Sequence, residues 1–121
     1  MSDIIDVTHI IAVKDLDAAV AYYRDVLEFE VEDRGAEGWR WFVRGPASIM
    51  AGHCPDEVPA VETNNHSSFL RLTMTDVDAY HDVLKINGAE FSNAIESKPW
   101  GFREFTVRTN EGHRITCAQR L

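Results

Sequence analysis

Five histidines, two cysteines and 20 acidic side chains in a 121-residue chain supply the residue types from which metal centres and acid–base sites are built. Their spacing is less generous. His9 sits in a β-branched run, and His53 and His66 flank an acidic, proline-containing stretch, where they read as solvated. His113 follows the turn glycine Gly112 and reads as a surface residue. Cys54 and Cys117 lack C-x-x-C spacing and read as a reduced pair, which points to a cytoplasmic protein. There is no glycine-rich phosphate loop and no nucleophile elbow, and Ser67-Ser68 beside His66 make a poor nucleophile and base. Glu104 alone does not argue for acid–base work in a chain this acidic. What the sequence does concentrate is aromatic surface near strand starts and turns: Trp39, Trp41, Phe42, Trp100 and Phe102. Aromatic side chains with a few polar groups are the usual lining of small-molecule sites, and they stack on planar or cationic ligands.

Composition narrows the classes further. At 45% apolar and 26% charged the chain is an ordinary globular domain. A net charge of −8 argues against nucleic acid, whose phosphates need a basic surface. No apolar run approaches the length of a membrane span, and Met1-Ser2-Asp3 lacks the basic start of a secretory signal.

The elements that must position these residues come in two copies. Val7 to Val13 reads as a strand, and Leu16, Ala19, Val20, Tyr23, Val26 and Leu27 recur at helical spacing after an Asp15 or Asp17 cap. Phe29 to Glu32, Trp39 to Arg44 and Ala47 to Gly52 are three further strands, with Gly45-Pro46 as a tight turn. Cys54 to Asn65 reads as a linker or mobile loop. The pattern then restarts with the strand Phe69–Met74, the helix Asp76–Asn87 closed by Gly88, a strand from Phe91 and a hairpin over Phe105–Val107 and Ile115–Cys117. Val13–Ala18 matches Met74–Ala79 at an offset of 61, and Val43-Arg44 matches Val107-Arg108. The expectation is an α+β single domain over residues 1–121. It comprises two βαβββ modules, residues 5–53 and 67–121, joined by a 54–66 loop, with the helices on the outer face of curved mixed sheets.

The segment Thr8–Glu30, together with Pro99-Trp100-Gly101 and Arg103-Glu104-Phe105, resembles the vicinal oxygen chelate superfamily. That group includes glyoxalase I, extradiol dioxygenases, fosfomycin-resistance transferases and bleomycin-resistance proteins, and the bleomycin-resistance branch is the most similar. In the metalloenzymes of that superfamily His, Gln or Glu ligands stand at matching places in the two modules. Carried over, those places are Thr8, Met50, Phe69 and Thr116, none with an imidazole, carboxylate or thiolate. His9 is one residue out of step with the ligand position, and a one-residue slip in a strand points a side chain to the other face. The expectation for His9 is therefore a hydrogen-bonded structural histidine towards the helix layer.

The resemblance thus implies antibiotic-resistance-like sequestration of a small molecule in an aromatic groove of a homodimer, with no metal or other cofactor. Trp39, Phe42, Met50, Phe69, Arg71, Trp100, Phe102 and Glu104 are the expected ligand-binding residues. Arg71 stands where that branch has an aromatic, so it either pairs with Glu104 or favours an anionic ligand. Trp41 and Phe105 are expected to pack in the core. Two other readings stay open: a metal-dependent lyase, isomerase or dioxygenase-like enzyme using His9 and loop histidines, and a structural or regulatory dimer without ligand.

Overall fold

The computed structural model describes residues 2–63 and 69–121, so His66, Ser67 and Ser68 lie outside the described residues. The first strand, β1 (His9–Val13), starts later than the sequence suggests, because Val7 pairs with no neighbouring strand and is 77% exposed. Helix α1 (Leu16–Asp25) is capped by Asp15, whose carboxylate accepts from the Ala18 amide at 3.0 Å. Its buried stripe is Ala19 and Tyr23. β2 (Glu30–Glu32), β3 (Trp39–Arg44) and β4 (Ala47–His53) complete the first unit. The second repeats it: β5 (Leu70–Thr73), α2 (Val77–Ile86), β6 (Glu90–Ser97), β7 (Phe102–Arg108) and β8 (Arg114–Arg120). Asp76 caps α2, and Gly88 ends it with φ 86°, the left-handed conformation that glycine adopts at no steric cost.

The strands form two four-stranded mixed sheets, ordered β1-β4-β3-β2 and β5-β8-β7-β6. In each, the module's first strand pairs parallel with its last and the other pairs are antiparallel. Register tests the internal repeat. His9 lies beside Ile49 and Leu70 beside Ile115, as the offset of 61 requires. Ile49 then faces Phe42 while Ile115 faces Val107. The counterpart of Val107 is therefore Phe42, and the sequence match of Val43-Arg44 to Val107-Arg108 is one residue out of register. Burial explains why: Phe42 and Val107 are both fully buried, whereas Val43 lies on the opposite face of its strand.

Each helix covers one face of its own sheet, and the two covered faces share a single apolar core containing Ile11, Tyr23, Phe42, Ile49, Tyr80, Leu84, Phe105 and Ile115. Side chains tie the modules together around it. Tyr80 donates to the Leu27 carbonyl at 2.7 Å, Tyr22 to the Arg108 carbonyl at 3.3 Å, and Asn87 to the Val26 carbonyl at 3.0 Å. From the other module, the Glu111 carboxylate accepts from the Lys14 amide at 2.7 Å and the Asp15 amide at 3.0 Å. The first part of the connecting loop is tethered rather than free. Cys54 donates to the Val13 carbonyl, Lys14 to the Pro55 carbonyl, and the short turn Ala60–Glu62 lies against Gly112. No helix among the described residues is long and apolar enough to cross a membrane.

Candidate functional site

Because the two helix-covered faces share one core, the opposite faces of the sheets point away from each other. On the first sheet, pairing places Ile10, Met50 and Trp41 in one row and Ala12, Gly52 and Trp39 in the next. Ile10 is 61% exposed there. The Trp39 ring lies directly over Gly52, so that a Cβ at Gly52 would meet three ring atoms at 2.7–3.0 Å. The Arg34 guanidinium sits 4.9 Å above Trp41.

Two expectations change places on this strand. Phe42 is fully buried and stacks on Tyr23 with ring centroids 4.2 Å apart, so it belongs to the core and not to a ligand wall. Trp41, expected in the core, lies on the uncovered face beside Met50. The cause is strand parity, which alternates through Trp39, Trp41 and Val43 on one side and Arg40, Phe42 and Arg44 on the other.

The second sheet presents a charged counterpart. Arg71, Thr116 and Thr106 form the row equivalent to Ile10, Met50 and Trp41. Arg71 donates to the Glu104 carboxylate at 2.7 Å, and the Trp100 indole N–H donates to the same oxygen at 3.3 Å. Glu104 is buried, which by itself would raise its pKa. The hydrogen bonds from Arg71 and Trp100, with the Arg71 charge, outweigh burial and hold the carboxyl below its ordinary range. Arg71 and Arg120 both place a guanidinium 4.9 Å from the Phe102 ring centroid. Lys98 lies 5.6 Å over Trp100 and pairs with Glu96. Arg71, Trp100, Phe102 and Glu104 are thus one cluster, to which Arg120, Lys98 and Thr106 are additions that the sequence reading missed. The signal for Arg120 and Thr106 was their strand parity.

Phe69 stands apart from that cluster. It packs edge-on against His113 at 5.1 Å, with the Arg114 guanidinium 5.2 Å from its ring. His113 is not the surface residue expected: it is 5% exposed and hydrogen-bonded to the Ala12 backbone. Burial lowers its pKa, and burial does the same to His9. His9 shares the parity of Ile11 and Val13, as expected. It does not make the expected hydrogen bond, since its Nε2 is buried and has no partner among the described residues.

The register also shows how the positions that the resemblance equates with metal ligands are arranged. Met50 neighbours Ile10 and Thr116 neighbours Arg71, at equivalent points of the two modules. The Thr116 hydroxyl is hydrogen-bonded to that of Thr106 at 2.8 Å. Thr8, Met50, Phe69 and Thr116 offer two hydroxyls, a thioether and a hydrocarbon ring, a donor set that does not fit a divalent cation. Among the described residues no three His, Cys, Asp or Glu side chains converge elsewhere.

Solved structures share this architecture. TioX from Micromonospora sp. ML1 aligns with a TM-score of 0.76 at 24% identity, covering 96% of this chain and 98% of that one. UcmS2 aligns at 0.79 and 17% identity, over 97% and 98% of the two chains. A glyoxalase/bleomycin resistance protein/dioxygenase from Alicyclobacillus acidocaldarius aligns at 0.81 and 14% identity, over 96% and 91%. At such identities the likeness is one of fold. No curated protein matches the chain. The model of the Glyoxalase/Bleomycin resistance protein/Dioxygenase superfamily matches residues 5–116, and the chain belongs to that superfamily.

Proposed function

We propose that this protein is a metal-free binding protein of the bleomycin-resistance type, which sequesters a small planar organic molecule without bond chemistry. The observation that carries the reading is the pair of unlike, uncovered sheet faces. One bears Trp39, Trp41 and Met50, and the other bears Arg71, Trp100, Phe102 and Glu104. Since the covered faces share a core, these two surfaces enclose a groove only when a second copy supplies the opposing wall. A homodimer with two equivalent grooves follows. The Arg71–Glu104 pair leaves the cluster with one net positive charge from Arg120, which favours a ligand with an acidic group over the cationic drug implied by the branch. Two free cysteines fit a cytoplasmic setting.

Sedimentation and tryptophan-fluorescence titration test this together. A dimer is expected, with quenching by at least one member of a panel of flavin mononucleotide, thiol conjugates and glycopeptide antibiotics. Trp100→Ala and Arg71→Ala should each weaken binding by about tenfold or more, as loss of a stacking or charge-assisted contact does. A monomer refutes the groove. Stoichiometric divalent metal that disappears in His9→Ala favours a lyase or dioxygenase. A dimer indifferent to every ligand favours a structural role.

A further inference from the structure

A cleft of about 580 Å³ opens where the connecting loop and the start of α1 meet the β7–β8 turn. Most of the polar side chains on it are already engaged. Glu111 accepts from the Lys14 and Asp15 amides, Asp15 caps the Ala18 amide, Lys14 donates to the Pro55 carbonyl, and Thr109 accepts from the His113 amide at 3.1 Å. Glu90, Arg108 and Asn110 also line the cleft, and their side chains make no hydrogen bond or ion pair among the described residues.

Register makes this idleness informative. Glu90 and Arg108 are direct partners across β6 and β7, a position from which opposite charges on one face ordinarily pair. No ion pair joins them. The Tyr22 hydroxyl, whose pKa is raised to about 12 by burial and then by the Glu90 charge, donates to the Arg108 carbonyl and not to Glu90. The Arg108 Nε is itself buried with no acceptor among the described residues. A buried donor left unpaired is destabilising, and a bound acceptor would relieve it. Pro59 and Val61 give the cleft an apolar side. Val61 is seated on Gly112, where a Cβ would meet the Val61 backbone at 2.8 Å, so this wall is fixed in place while Val61 remains 49% exposed.

We propose that this cleft is a second small-molecule site, at the end of β7 away from Trp100, for a zwitterion with an apolar side chain, a free α-amino acid. The idle charges of Glu90 and Arg108 cancel, so they suit a ligand bearing one charge of each sign over a simple anion or cation. The ligand carboxylate accepts from Arg108, its ammonium donates to Glu90, and its side chain lies against Pro59 and Val61. Asn110 offers both a donor and an acceptor to the same two groups.

Amide-resolved NMR titration of the full chain with L-leucine tests this, beside 4-methylpentanoate and isoamylamine, which lack the ammonium and the carboxylate respectively. Leucine should move the Glu90, Arg108 and Asn110 amide resonances and leave the Trp39 and Trp100 indole signals in place. Each singly charged analogue should bind about tenfold more weakly or worse, as loss of a charge-assisted contact implies. Glu90→Gln should bring leucine down to the level of 4-methylpentanoate, and Arg108→Gln should bring it down to that of isoamylamine. If either variant fails to fold by circular dichroism, the comparison of leucine with its analogues on the natural protein decides alone. Unmoved Glu90 and Arg108 amides, or an analogue that binds as well as leucine, overturns the proposal.

Discussion

Gly52 is the most demanding position on the aromatic face. It is buried, its backbone lies outside the left-handed region, and the Trp39 ring occupies the space a side chain would need. Gly52→Ala places a methyl 2.7–3.0 Å from three ring carbons, closer than real Cβ contacts, so the indole must move. Overpacking of this kind costs about 1–3 kcal/mol. Loss of glycine's unfolded-state entropy offsets about 0.4–1 kcal/mol of it. The net loss is roughly 1–2 kcal/mol, which at about 2.1 cal/mol/K per residue over 121 residues lowers Tm by about 4–8 °C. The informative assay is a double-mutant cycle by thermal denaturation with Trp39→Ala. Once the ring is gone the alanine at 52 should cost nothing, giving a coupling of about 1–2 kcal/mol. A Gly52→Ala protein that melts no lower than the parent, or single losses that add to within about 0.5 kcal/mol, refutes the placement of Trp39.

Three further outcomes follow. Phe42→Ala, which empties a fully buried site stacked on Tyr23, should lower stability by about 3–5 kcal/mol in chemical denaturation, whereas Trp41→Ala should cost well under half as much and leave the fold intact. Glu111→Gln keeps the shape but weakens two charge-assisted bonds between modules; a loss of about 1–3 kcal/mol is expected, and an unchanged urea midpoint would remove Glu111 as a tie. His9 and His113 both have pKa values depressed by burial, so the unfolded chain, near the ordinary value of about 6.5, takes up protons first as pH falls. Stability from these sites is complete above that value and declines through mildly acidic pH, and His113→Gln should flatten the fall of Tm between about pH 7.5 and 5.5.

The parts of the fold legible in the sequence are those set by local chemistry. Asp15 and Asp76 cap helices as their residue type suggests, Gly88 ends the second helix, and the repeat at an offset of 61 carries the module plan. The site was readable where one strand position implies another: Arg71 and Glu104 were candidates for a pair, and they form it across 33 residues of sequence. Trp41-Phe42 misled because both side chains are large and apolar, so composition cannot say which faces the helix; only the pairing of Phe42 with Ile49 decides. His113 looked like a turn residue because its burial depends on Phe69 and Ala12, neither near it in sequence. Glu111 was invisible for the same reason, since the amides it binds lie 96 and 97 positions away.

Four of the side-chain ties between the modules end on main chain, beside the side-chain contacts of Asn87 with Glu28 and of Arg44 with Tyr80. Tyr80 reads the carbonyl of Leu27, Tyr22 that of Arg108, Asn87 that of Val26, and Glu111 the amides of Lys14 and Asp15. A backbone group is the same whatever residue bears it, so the receiving positions place no demand on amino-acid identity. Within this scaffold four anchors are expected to resist replacement while their recipients drift. Duplicated halves joined in this way can diverge in sequence, one becoming aromatic and the other charged, without losing the joint that keeps them a single molecule.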